Sequence, residues 1–150
     1  MGRRIVLDTN VLVAGLRSRR GAAFRVLSLV GTGAFEHCLS VPLLFEYEEV
    51  LKRPTTRLPV TAEAVEAVLD FVAASADRRW IHFLWRPLLS DPRDDLVLEV
   101  AVAGGCDTVV TYNIRDFAAS SRLGVRAQTP AQFLASLGEI SREQPTGGKQ

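Results

Sequence analysis

The stretch that most restricts this chain is Arg4-Ile-Val-Leu-Asp-Thr-Asn10. Ile5, Val6 and Leu7 form a short continuous apolar run, the pattern of a strand buried on both faces of a parallel sheet. The run stops at Asp8, Thr9 and Asn10, and apolar residues then resume at helical spacing. A carboxylate at the carboxyl end of a central strand is costly to desolvate unless a cation meets it. That edge is also where open α/β sheets place their ligands. Asp8 has a structural role open to it as well, as the cap of the following helix.

The rest of the chain repeats the strand-then-helix alternation. Residues 11–16 read as a short helix, followed by the basic loop Arg17-Ser-Arg19-Arg20-Gly21. Phe24, Leu27 and Val30 recur at helical spacing, with Gly31 placed as a C-terminal cap. Residues 35–41 alternate as a strand does. Pro42 opens a helix to about Leu51, residues 53–59 form a loop, and Thr61 caps a longer helix carrying Val65, Val68, Leu69 and Val72. Residues 80–85 read as a short aromatic-rich extended piece. Asp91-Pro-Arg-Asp94 is a helix start, and that helix ends at Gly104-Gly105. Residues 108–111 form another buried strand and 125–128 a last short one. Thr129-Pro-Ala-Gln132 is a capping box opening a helix to Gly138. The expectation is one domain over residues 1–140 with a polar, disordered tail at 141–150. Such alternation implies a parallel sheet covered on both faces.

Composition removes several function classes. At 150 residues, 47% apolar and 23% charged, the chain is one ordinary globular domain. No apolar run approaches the roughly 18 residues of a membrane span, and the start has no signal-peptide core, so a cytoplasmic protein is expected. Cys38 and Cys106 are expected as free thiols. His37 and His82 read as packed side chains, since neither has a second ligand at metal-site spacing. A net charge of +1 does not by itself advertise a nucleic-acid partner.

Four acids can join Asp8's crevice or fail to. On the helix over 42–51, Leu43, Tyr47, Val50 and Leu51 define the buried stripe; Glu49 lies opposite, while Glu46 and Glu48 flank the stripe equally. On the next acidic helix Asp94 falls near the inner face and Asp95 beside Glu99 on the polar face, so Asp94 is the better candidate. Asp116 follows its strand as Asp8 follows its own, with Asn113 three residues earlier. If Asp8, a glutamate of the first helix, Asp94 and Asp116 converge, unit charges ~4 Å apart repel by about 4 kcal/mol at an effective dielectric of 20. Such a group needs protonation or a cation. Oxygen donors alone favour Mg²⁺ or Mn²⁺ over Zn²⁺, and either ion can activate water against a phosphodiester.

Leu7-Asp8-Thr9-Asn10, Leu-Leu-Phe-Glu46-Tyr-Glu-Glu-Val-Leu, Asp91-Pro-Arg-Asp94-Asp95 and Val-Val-Thr111-Tyr-Asn113-Ile-Arg-Asp116-Phe117 together resemble the PIN-domain ribonucleases. The likeness is to the VapC-like toxins of toxin–antitoxin systems, and it covers roughly residues 4–137. It implies a three-layer α/β/α sandwich around a mostly parallel sheet, and an acidic site holding one or two Mg²⁺ or Mn²⁺ ions that cleaves RNA. Carried over by position, Asp8, Glu46, Asp94 and Asp116 are the catalytic and metal-binding acids. Glu46 is thereby favoured over Glu48. Thr9, Asn10, Asp95, Thr111 and Asn113 become supporting groups, Asn113 standing where some members have another acid. The Asp94-Asp95 doublet leaves a one-residue ambiguity. A homodimer and a cognate antitoxin are further family implications.

Arg17, Arg19 and Arg20 are candidate phosphate contacts for RNA, as their loop follows Asp8 by one short helix. Phe45 points away from the buried stripe and is a candidate protein contact. A second function class is a catalytically weak PIN-like module that binds RNA or protein without cutting. A haloacid-dehalogenase-type phosphotransferase wants an acid two residues after the first Asp, where this chain has Asn10. No G-x-G-x-x-G follows the first strand, which disfavours a dinucleotide-binding domain.

Overall fold

The computed structural model of the chain describes residues 2–79 and 91–143. Five strands, β1 (Arg3–Leu7), β2 (Phe35–Ser40), β3 (Asp77–Arg79), β4 (Thr108–Val110) and β5 (Arg126–Gln128), form one sheet in the order β3-β2-β1-β4-β5. Every pairing between them is parallel. The helices are α1 (Thr9–Arg17), α2 (Ala22–Leu29), α3 (Val41–Lys52), α4 (Ala62–Ser75), α5 (Pro92–Ala103) and α6 (Pro130–Glu143). They lie on both sides of the sheet, giving the α/β/α sandwich. The reason sits in β1: Ile5, Val6 and Leu7 are fully buried, so each face of the central strand needs its own cover.

Strand order fixes where a ligand can enter. From β1 the chain builds outward to β2 and β3, then returns past β1 to lay down β4 and β5. The direction of winding therefore reverses between β1 and β4, and the crevice beyond their carboxyl ends is the expected ligand position in an open α/β sheet. Asp8 follows β1 there, its N–H donating to the Val110 carbonyl at 2.9 Å.

The amino ends of the same strands are tied by ion pairs. Arg3 Nε meets Asp107 Oδ1 at 2.9 Å, and its guanidinium lies 5.1 Å from the ring centroid of Phe133 on α6. Arg4 reaches Glu36 and Asp77, each at 2.7 Å. Side chains cap the helices, at Thr61 and Thr129 as the sequence suggests and at Ser40 in addition. Ser40 Oγ accepts the Leu43 N–H at 3.1 Å and Thr61 Oγ1 the Ala64 N–H at 3.0 Å. Thr129 and Gln132 exchange bonds at 2.9 and 3.1 Å, completing the capping box of α6.

Three elements differ from the sequence reading. Strand β3 begins at Asp77, upstream of the extended piece expected at 80–85, which with His82 lies outside the described residues. Asp-Arg-Arg has no apolar alternation to announce a strand, and Arg4 supplies the charge that lets Asp77 sit against the sheet. Residues Ile114–Leu123 form a 3₁₀ segment kinked at buried Phe117 and closed by Gly124 at φ 76°. Helix α6 continues past Gly138 to Glu143.

Candidate active site

The site is built outward from Asp8, which is 7% exposed. Its Oδ1 accepts the Thr9 N–H at 2.7 Å, so Asp8 does cap α1. Its Oδ2 accepts from the Thr111 hydroxyl at 2.7 Å and from Asn10 Nδ2 at 3.3 Å. Thr111 Oγ1 itself accepts the Asn113 N–H at 2.9 Å and Asn10 Nδ2 at 3.4 Å. With those lone pairs in use, its single proton is aimed at Asp8. Asn10 Oδ1 accepts the Tyr112 N–H at 3.3 Å, which closes a polar mesh between the ends of β1 and β4.

Burial pushes the Asp8 carboxyl above its ordinary pKa; Thr111 and Thr9 pull it back, and the charges of Glu46 and Asp116 push it up again. The charges of Glu46 and Asp116 thus both act on Asp8.

Helix α3 is docked by Tyr47, whose buried hydroxyl donates to the Leu7 carbonyl at 2.5 Å. This contact turns Glu46 towards the end of β1, where it lines the crevice. Glu48 instead pairs with Lys52 at 2.9 Å, and Glu49 with Arg53 at 2.6 Å. The geometry thus separates Glu46 from Glu48, which are equivalent on the helical wheel.

On α5, Asp91 is the cap, accepting the Arg93 N–H at 2.9 Å. Asp94 and Asp95 are each 7% exposed, so Asp95 does not lie on a solvated polar face. Helix α5 touches β1, β2, β4, α3 and the 3₁₀ segment, and is covered around more of its girth than a one-sided wheel assumes. Asp94 lines the crevice and Asp95 is not among the lining residues. Burial and then the charges of Asp8, Asp91, Asp116 and Asp95 raise the Asp94 carboxyl to about 7.

The crevice has a volume of about 260 Å³, with Asp8, Glu46, Asp91 and Asp94 on its wall. Thr9, Asn10 and Asn113 line it as well, together with Arg53 and Arg93. Arg93 Nε stands 4.0 Å from Glu46 Oε2. Asp116 is exposed and does not line the crevice; it acts on Asp8 and Asp94 through its charge. Three charged lining residues go beyond the sequence expectation: Asp91, which the sequence places as a cap, and Arg53 and Arg93. Arg93 had a signal, being enclosed by acids in Asp-Pro-Arg-Asp; Arg53 had none.

The basic loop is elsewhere. Nine-residue α1 carries the chain about 13 Å from its start, and none of Arg17, Arg19 and Arg20 lines the crevice. Arg17 donates to the Thr56 carbonyl at 2.7 Å, and Arg19 and Arg20 are exposed.

Among the described residues, no three His, Cys, Asp or Glu side chains are grouped closely enough to hold a metal ion between them. The tight convergence of four acids expected from the sequence is therefore looser in the structure. The donor chemistry still fits a hard cation. All acids on the wall are oxygen donors, and Mg²⁺ usually keeps several waters and takes only one or two carboxylates directly.

The sequence matches the PIN-domain family over residues 4–115. The chain belongs to the PIN-domain family. The matched span holds Asp8, Glu46, Asp94 and Asn113 of this PIN domain and ends one residue before Asp116. A solved structure described as VapBC2 from Rickettsia felis bound to a DNA fragment from their promoter contains a similar chain. The TM-score is 0.54 at 19% identity, covering 84% of this chain and 98% of that one. At that identity the likeness is one of fold. No curated protein matches the chain. No helix among the described residues of the PIN domain is long and apolar enough to cross a membrane.

Proposed function

We propose that this PIN-domain protein is a metal-dependent endoribonuclease that hydrolyses RNA phosphodiester bonds, and that it is the toxin of a toxin–antitoxin pair in the cytoplasm. One observation carries the reading. At the point where the sheet reverses its winding, burial and mutual repulsion raise the carboxyls of Asp8 and Asp94 together. A divalent cation relieves that repulsion.

Asp8, Glu46 and Asp94 are the residues that would hold Mg²⁺ or Mn²⁺, with Asp116 contributing charge from outside the wall. When bound, such an ion lowers the pKa of a water and stabilises charge on the phosphoryl oxygens. The chain's own part is positional. Thr9 and Thr111 fix the two Asp8 oxygens in place. Asp94, raised to about 7, holds or gives up a proton at its carboxyl close to neutral pH. Arg53 and Arg93 offer cations to phosphate oxygens from the same wall. Asp95, buried next to Asp94 in the chain, adds its charge to the push on that carboxyl, and Asn113 holds Thr111 through its backbone.

The fold likeness to a chain of a VapBC2 structure supports an antitoxin partner, and Phe45, 61% exposed, is a surface residue suited to an antitoxin or a second copy in a homodimer. The looseness of the acids favours a second reading: a catalytically weak PIN-like module that binds RNA or protein without cutting. RNA degradation that requires Mg²⁺ or Mn²⁺ and disappears in Asp8→Asn separates the two. Anomalous density from Mn²⁺ beside Asp8 in a soaked crystal tests the metal directly.

A further inference from the structure

We propose that the cavity on the other side of Arg53 from the acids is a nucleotide subsite, holding part of the RNA strand that is cut at the crevice, with Arg57 as its phosphate contact. The inference rests on the ribonuclease reading above and adds a path for the substrate.

Arg53 lines both hollows. On one side is the acidic crevice. On the other is a cavity of about 560 Å³ between the end of α3, the 3₁₀ turn Pro54–Thr56 and the start of α4. That volume lies in the range of small-ligand pockets, about 300–1,000 Å³. Its wall mixes aliphatic surface from Leu58, Val60 and Val65 with the cationic Lys52, Arg53 and Arg57 and the acidic Glu66, which pairs with Lys52. A nucleotide has the matching halves: a base with apolar faces and an anionic phosphate. An apolar peptide has no use for three cations.

The cations are not equivalent. Lys52 pairs with Glu48 and Glu66, and Arg53 with Glu49. Arg57 has no acidic partner among the described residues and is exposed. It is also the one non-glycine residue there with positive φ, at φ 50° and ψ 61°. L residues resist that conformation, and surrounding bonds must impose it. Those bonds are present. Thr56 Oγ1 donates to the Val50 carbonyl at 2.6 Å, and Arg17 donates to the Thr56 carbonyl at 2.7 Å. The Arg57 N–H donates to Pro54 at 3.3 Å. Arg17 thus braces this turn, and a cation without an acidic partner among the described residues is held on the wall of a cavity that shares Arg53 with the crevice.

Arg57→Gly is the decisive variant. Glycine accepts positive φ freely, so the fold keeps its stability while the charge is lost; a thermal melt checks this. Binding is measured on the Asp8→Asn background, which leaves the RNA uncut, by anisotropy of a labelled single-stranded RNA oligonucleotide across a salt series. Arg57→Gly should bind about fivefold more weakly, and the slope of log affinity against log salt should shrink by about 0.7, one single-strand phosphate contact. Arg25→Ala, which removes an exposed arginine of α2 outside the cavity, should change neither. Affinity and slope unchanged in Arg57→Gly overturn the subsite, and if the wild-type chain still cuts RNA the nuclease reading stands. A parent chain that neither binds nor cuts RNA overturns both.

Discussion

The hydroxyl of Thr111, just past β4, donates to the carboxylate of Asp8, just past β1, across 2.7 Å. It is the largest influence holding the Asp8 pKa down against burial. In Thr111→Val the side chain keeps its shape and loses the donor. Asp8 should then titrate higher, so the pH–rate profile of RNA cleavage moves to higher pH. Stability should fall by about 1.5–3 kcal/mol, the usual value of a hydrogen bond to a charged group, measured by urea unfolding. An unmoved pH profile would mean that Asp8 takes no part in the rate.

Asp8→Asn should keep the cap of α1, since Asn caps as well as Asp, and remove one of the repelling charges. Cleavage should vanish while the melting temperature holds or rises. In the wild type, Mn²⁺ at a hundred times its Kd adds about 2.7 kcal/mol by mass action. Thermal melts with and without Mn²⁺ should show that gain lost in the variant. An equal Mn²⁺ shift in both chains would place the ion elsewhere.

Tyr47→Phe removes the bond to the Leu7 carbonyl and leaves a buried acceptor without that partner. A loss of about 1–3 kcal/mol is expected from urea melts. Because the same contact orients Glu46, cleavage should also fall in Tyr47→Phe at temperatures where the variant is fully folded. Full activity there would detach Glu46 from the reaction.

Two buried groups oppose each other in acid. His37, 2% exposed, has neither ring nitrogen hydrogen-bonded among the described residues. Burial lowers its pKa to about 4, and the Val72 backbone, too loosely placed for a hydrogen bond, offsets only part of that. The unfolded chain takes this proton first, so stability present above pH 6.5 is lost as pH falls from 6.5 towards 4. The window corresponds to about 3 kcal/mol at most. Asp94 has the opposite sign. Its folded carboxyl titrates near 7 against an ordinary 3.8, so stability is gained as pH falls through that range, and Asp8 acts in the same direction. In the wild type the loss through His37 and the gain through Asp94 should therefore oppose each other between pH 6.5 and 4. Asp94→Asn should become acid-labile, and His37→Leu should become more stable towards acid. Denaturant melts at several pH values check the pair; parallel profiles for all three chains would refute it.

What the sequence disclosed depended on how local each signal was. The apolar triplet before Asp8 named the central strand because burial on two faces leaves no alternation. Thr129 and Gln132 announced α6 because a capping box is written in four residues. Glu46 and Glu48 stayed equivalent until Tyr47 docked α3, a contact forty residues from Leu7. Asp95 was misplaced because a wheel assumes one covered side and α5 is covered on several. The charged Asp77–Arg79 strand and the polar Ile114–Leu123 segment carry no periodicity to read; the partners that stabilise them, Arg4 and the pocket around Phe117, come from the assembled fold. Arg53 reached the site by the same long-range route.

The charges of this molecule are sorted by rim. Arg3 with Asp107 and Arg4 with Asp77 and Glu36 fasten the amino edge of the sheet, while the carboxyl edge is left with acids that repel. Paired charges thus hold one edge, and hydrogen bonds around mutually repelling acids hold the other. Reinforcing the fastened edge should toughen the protein without dulling it, whereas neutralising the unquiet edge trades its work for endurance.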